Sequence, residues 1–195
     1  MRCFGDGNPL YEAYHDQEWG HPVTDERGLY ERLCLESFQS GLSWLIILRK
    51  RPTFRVAFAD FDPEVVAGYD ERDVERLLQD AGIVRNRAKI EATIANARAT
   101  LGLRDGPRSL PEIVWSFRPD RPADHPAPTA LQDMPAKVPE SAALAKELKK
   151  HDFRFLGPTT LYAGMQACGL VNDHLASCPS RPAVVAAQAA AVRPG

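Results

Sequence analysis

Cys3 and His15 stand near one end of the 195-residue chain, and His174 and Cys178 stand near the other. His174 and Cys178 are four residues apart, so one helical turn brings both to the same face. Two thiols and two imidazoles suit a tetrahedral zinc ion, and four protein ligands leave no position open to water. A site of that kind is structural: it ties the N-terminal segment to the C-terminal one and restrains the unfolded chain. The spacing is not the compact spacing of a zinc finger, so the residues alone leave open two unrelated Cys–His pairs. Cys34 and Cys168 lie within apolar helical patterns and read as packed thiols. His21, His125 and His151 have no evident partner.

A second kind of chemistry needs a carboxylate among aromatic rings. Glu36 is three residues after Leu33 and seven after Leu29, within their helical arc. A carboxylate there must be hydrogen-bonded, paired, or open to a cleft. Leu35 and Phe38 point away from that arc, so an ordinary helix-surface position is the alternative. Tyr11, Tyr14, Trp19 and Trp44 are the nearby aromatics, suited equally to a pocket wall and to a core. Three basic clusters could meet phosphates: Arg49-Lys50-Arg51; Arg85, Arg87 and Lys89; and Lys146, Lys149, Lys150 and Arg154. Each is equally readable as a solvated helix face.

The elements that must position these groups read as helices. Asp25 caps a helix running to about Gly41. A second starts near Ser43 and carries Trp44 to Leu48, with the basic cluster and Pro52 expected to end it. Asp62-Pro63 reads as cap and first helical residue, and Asp70 caps the next helix, which Gly82 stops. The connection Ile83-Val84-Arg85-Asn86 leads to a helix through Ile90, Ile94 and Leu101. Such a helix–hairpin–helix can aim backbone N–H groups and a helix dipole at a phosphate, although a plain helix–helix turn also fits. Trp115 and Phe117 sit in a short apolar segment. Prolines recur from Arg118 to Pro139, marking a surface loop or linker. Ser141 is expected to cap a helix to about Lys150, and Pro158 opens a last strong one ended by Gly169. After Pro179 the Ala- and Val-rich tail reads as a short helix or as disorder. Strand-like alternation is scarce, so the class is all-α.

The net charge of −2 gives no global sign of nucleic-acid binding. The apolar content of 44% and charged content of 26% are those of a soluble globule. No stretch spans a bilayer, and Met1 to Asp6 lacks the apolar core of a signal peptide. A cytoplasmic monomer with reduced thiols is the expectation.

In order along the chain stand Asn8-Pro9-Leu10-Tyr11-Glu12-Ala13-Tyr14-His15-Asp16-Gln17-Glu18-Trp19-Gly20, Leu35-Glu36-Ser37-Phe38-Gln39-Ser40-Gly41-Leu42-Ser43-Trp44, Gln79-Asp80-Ala81-Gly82-Ile83 and Met165-Gln166-Ala167-Cys168-Gly169-Leu170-Val171-Asn172-Asp173-His174. These segments closely resemble the 3-methyladenine DNA glycosylase I family, over roughly residues 1 to 180. The resemblance implies an all-α fold of the helix-hairpin-helix glycosylase superfamily, followed by a tail at 181–195. It makes Cys3, His15, His174 and Cys178 the ligands of one structural zinc ion. Glu36 becomes the pocket carboxylate, with Tyr14 and Trp44 stacking on the base and Tyr11 as a further pocket residue. Gly82, Arg85 and Arg87 become the phosphate-binding hairpin. The hairpin lacks the paired glycines common in the wider superfamily, and Phe4 replaces the start of a more tryptophan-rich stretch.

The implied activity is hydrolysis of the N-glycosidic bond of 3-methyladenine in alkylated double-stranded DNA, after the base is flipped into a pocket. The helix after the hairpin offers Glu91 but no aspartate with a clear motif, and no lysine is placed for Schiff-base chemistry, so a monofunctional enzyme is expected. The alternatives are a zinc-stabilised DNA-binding module, a zinc hydrolase, which needs an open coordination position, and a glycosylase for another lesion such as 7-methylguanine.

Overall fold

The computed structural model describes residues 1–121 and 126–194. His125 and Pro122, noted in the sequence, lie outside them. Among the described residues the fold has ten α-helices: α1 (Pro9–Gln17), α2 (Glu26–Gln39), α3 (Trp44–Ala57), α4 (Pro63–Ala67), α5 (Glu71–Gln79), α6 (Arg87–Arg104), α7 (Leu110–Ser116), α8 (Pro139–Lys150), α9 (Pro158–Ala167) and α10 (Arg181–Ala190). Among the described residues there is no strand. No helix there is long and apolar enough to cross a membrane.

Helix α2 is the axis. It packs against α3, α6, α7 and α9, and every residue from Arg32 to Phe38 is buried. A helix buried all round has no solvent face for a charged residue, so Arg32 and Glu36 are both enclosed. The core beside it is aromatic, with Phe38, Phe54, Phe58 and Phe61 in contact around one end.

The caps fall where their residue types suggest. Asp25 Oδ1 accepts from Gly28 N at 2.7 Å, Asp62 precedes Pro63 at the first position of α4, and Asp70 with Asp73 closes a reciprocal box on α5. Three expectations are corrected. Pro52 lies inside α3, which continues to Ala57; the ring is exposed, while Phe54 and Ala57 beyond it are buried and hold the helix together past the missing N–H. Helix α8 begins at Pro139, and Ser141 bonds back to Val138 from inside its first turn. The segment around Trp115 is a helix, boxed by Ser109 and Glu112.

The tail is the helix of the two readings: α10 buries Val184 completely, and Gln188 Nε2 donates to Gly169 O at 2.9 Å. Gly169 ends α9 at φ +74, and a Cβ there would stand 2.6 Å from His21 C and Pro22 N. Only glycine lets the chain after α1 lie directly on the end of α9. The described part of the Pro-rich segment is tied down at its ends, by Arg121 Nη1 to Asp173 Oδ1 at 2.8 Å and by Ala176 N to Pro128 O at 2.8 Å.

Candidate active site

The packing of the two chain ends brings Cys3, His15, His174 and Cys178 together. All four are buried, and their ligand atoms lie within 4.8 Å of one another. Cys3 Sγ is 3.6 Å from His174 Nδ1, Cys178 Sγ is 3.3 Å from His174 Nδ1, and Cys178 Sγ is 3.6 Å from His15 Nε2. The far ring nitrogens are engaged: His15 Nδ1 donates to Asp16 Oδ1 at 2.8 Å, and His174 Nε2 donates to Trp19 O at 3.0 Å. Those bonds fix the tautomers that turn a lone pair of each ring toward the sulfurs, as metal-binding histidines require. Burial pushes the Cys3 thiol up to about 12 and holds His174 down at about 4. An ionised sulfur in this setting requires a cation beside it. The set can therefore hold a metal ion.

Above this cluster stand the aromatics. Phe4 lies 4.9 Å from the Tyr11 ring and 5.0 Å from Trp19, between centroids. Tyr14 lies 5.3 Å from Trp44. Phe4 was not singled out as a pocket residue in the sequence; its position after Cys3 was the only available signal. Tyr14 comes from α1, Trp44 from the first residue of α3, and Glu36 from the last turns of α2.

Glu36 is 5% exposed. Burial pushes its carboxyl up to about 8, with the nearby Arg32 charge opposing, and no hydrogen bond among the described residues offsets the cost. Burial, then the Glu36 carboxylate, raises the phenols of Tyr14 and Tyr11, so both keep their protons. Trp44 Nε1 and Arg32 Nη1 are buried donors without an acceptor among the described residues. A buried acceptor and buried donors left unmatched beside a cluster of tilted and edge-on rings are the equipment of a site for a flat, polar-edged, positively charged group. Two surface hollows of about 850 and 570 Å³ lie elsewhere, one between α5, α6 and the end of α8, the other under the Pro-rich segment.

The chain matches the methyladenine glycosylase family model over residues 4–181. It belongs to that family. It is 50% identical over 175 residues to DNA-3-methyladenine glycosylase 1 of Escherichia coli (strain K12), covering 90% of this chain and 93% of the relative. Among solved structures it superposes on a 3-methyladenine DNA glycosylase I with a TM-score of 0.87 at 49% identity, covering 92% of this chain and 98% of the other. The 3-methyladenine DNA glycosylase I of Staphylococcus aureus, solved for its recognition of 3-methyladenine, matches with a TM-score of 0.85 at 37% identity, over 92% and 95% of the two chains.

In this family member the hairpin between α5 and α6 is well formed. Gly82 N donates to Asp80 Oδ1 at 2.7 Å, and Thr53 Oγ1 donates to Gly82 O at 2.6 Å. A Cβ on Gly82 would come within 2.9 Å of Asp80 Oδ1 and 3.0 Å of Thr53 Cβ, so the fold itself calls for glycine there. The basic residues divide sharply. Arg85 is exposed and makes no ion pair among the described residues. Arg87 is held by Glu71 at 2.7 Å, by Glu75, and by Glu91 at 3.5 Å. Lys89 is buried, with Nζ donating to Phe38 O at 2.9 Å and Ser40 O at 2.7 Å, where it caps the carbonyl end of α2. Arg51 is likewise internal, bonded to Glu18 and Glu31.

Proposed function

We propose that this protein is a DNA-3-methyladenine glycosylase that hydrolyses the N-glycosidic bond of 3-methyladenine in alkylated double-stranded DNA and so initiates base excision repair. The observation that carries the reading is the buried Glu36 carboxyl, close enough to Tyr14 and Tyr11 to raise their phenols, with Trp44 against Tyr14, in a chain of this family.

Methylation at N3 places positive charge on the adenine ring and makes the base a good leaving group, so little protonation of it is needed. The pocket has to select and hold the flipped base. Tyr14 and Trp44 stack on the cationic ring, worth about 0.5–2 kcal/mol per contact. Tyr11 and Phe4 extend the wall. Glu36 accepts from the purine edge, and its charge favours the cation over neutral adenine and a sugar of oxocarbenium character in the transition state. The incoming cation also draws the carboxyl below its high resting value, so binding and ionisation of Glu36 are coupled.

Gly82 shapes the hairpin, and its backbone with Arg85 meets DNA phosphates. Arg87 acts there mainly by fixing α5 to α6 through its three carboxylates. We assign residues 1–180 to the glycosylase domain, with the tail helix docked on its metal-binding end, and take the enzyme to be a cytoplasmic monomer. The metal is zinc: around an ion with Zn–N and Zn–S lengths of about 2.0 and 2.3 Å, ligand N and S atoms stand about 3.5 Å apart. The 3.3–3.6 Å separations seen here fit that spacing. When bound, the ion supplies a structural crosslink, and four protein ligands leave no site for an activated water.

Incubation with methylated duplex DNA, followed by chromatography of the released bases, tests the reading. The expected product is free 3-methyladenine, lost in Trp44→Ala. A folded, metal-loaded preparation that releases no base refutes the reading and favours a DNA-binding module. Borohydride should trap no protein–DNA adduct.

A further inference from the structure

Arg32 and Glu36 are one helical turn apart on α2, the spacing at which side chains share a face. Both are buried, at 7% and 5% exposure. Arg32 gives Nη2 to Glu18, which also receives Arg51 Nη1 at 2.6 Å; Arg51 in turn is braced by Glu31 at 2.8 Å. Its guanidinium lies 5.8 Å from the centre of the Tyr14 ring. Nη1 is left buried with no acceptor among the described residues. The arrangement places a fixed cation beside Glu36 without a hydrogen bond between them.

We infer that Arg32 is a positioning residue for base excision, anchored by the Glu18–Arg51–Glu31 chain, which eases the ionisation of Glu36 through space when the cationic base arrives while leaving both carboxylate oxygens free for that base. A direct Arg–carboxylate bond would neutralise the acceptor and occupy it. A carboxyl with no cation near it would hold its proton still more tightly in so dry a site. Glu18, below its usual value against its own burial because of Arg32 and Arg51, absorbs the second half of the guanidinium. The other groups facing Glu36 are neutral while protonated: the phenols of Tyr11 and Tyr14 from α1 and the Cys168 thiol from the end of α9, which burial raises to about 12. Arg32 is therefore the charge that limits how far burial raises Glu36 before the base arrives.

The inference rests on the assignment of Glu36 to base recognition. The test is the pH dependence of kcat/KM for 3-methyladenine release, which reports ionisations of the free enzyme. Arg32→Gln is expected to move the acid limb up by about one pH unit or more, and Arg32→Lys to restore most of it. Glu18→Gln, which leaves more of the Arg32 charge unopposed, is expected to move the limb the other way. This second variant keeps the test informative should Arg32→Gln fail to fold. An acid limb that stays in place in both Arg32→Gln and Glu18→Gln, while disappearing in Glu36→Gln, overturns the role of Arg32 and spares that of Glu36. Full activity with an unchanged limb in Glu36→Gln overturns both.

Discussion

At the scale of single residues, the account turns on a carboxyl in a place that does not suit it. Glu36 stands at about 8 in the folded chain against an ordinary 4.5. Between those values the folded chain holds a proton that the unfolded chain has released, so this group's contribution to stability falls as pH rises from about 4.5 to 8 and is constant above. Glu36→Gln carries no such dependence. Denaturant melts of the two proteins should differ little in their pH-dependent part near pH 4, and the variant should gain on the order of 2 kcal/mol or more by pH 9. A difference that does not change with pH would show that the carboxyl is not desolvated as described. The Leu29–Leu33–Glu36 spacing made this residue visible in the sequence, because helical periodicity assigns a face. It did not show that α2 is buried on every side from Arg32 to Phe38, since that depends on α3, α6, α7 and α9 arriving from distant parts of the chain. Arg32 went unread in the sequence, and its diversion to Glu18 is a tertiary fact.

At the scale of elements, the hairpin separates charges that look alike in the sequence. Arg85, Arg87 and Lys89 form one basic run, but only Arg85 is free to meet a phosphate, because the other two side chains turn toward Glu71 and Glu75 and toward the carbonyls ending α2. Net charge counts cannot distinguish these cases, since each depends on which neighbour comes within reach on folding. Arg85→Ala should weaken duplex binding about equally for all sequences and reduce the slope of log affinity against log salt by about one, measured by titration at several salt concentrations. Arg87→Ala should change the slope less and lower the melting temperature more. Helix ends that carry Asp caps were readable locally, as at Asp25, Asp62 and Asp70. The course of α3 through Pro52 was not, because the apolar residues that sustain the helix lie beyond the proline and bury against the remote core.

At the scale of the whole molecule, Cys3, His15, His174 and Cys178, a set that could hold a metal ion, join the two ends of the chain, and nothing local in the sequence declares such a pairing. The motif order supplied it, and the packing of α1 beside the segment after α9 supplies its physical form. Gly20 and Gly169 allow that approach, with a Cβ on Gly20 falling 3.1 Å from Val184 and 3.3 Å from the His174 ring. Elemental analysis of the purified protein should find one zinc per chain. Cys178→Ser should reduce that content and lower the melting temperature by at least about 5 °C, since each 1 kcal/mol shifts a chain of this size by roughly 2–4 °C. Where the variant remains folded, its rate of base release should stay near that of the parent. An unchanged melting temperature after complete removal of the metal would contradict the structural role.

We propose that the buried carboxyl of Glu36, near Tyr14 and Tyr11, selects the cationic base for excision. Single-turnover release of 3-methyladenine from methylated duplex DNA by the parent protein and by Glu36→Gln addresses it most directly. The account predicts release by the parent and a loss of about 10²-fold or more in the variant, the scale expected when a preorganised charge is removed from a reacting centre. Equal rates from the two folded, metal-loaded proteins would contradict it.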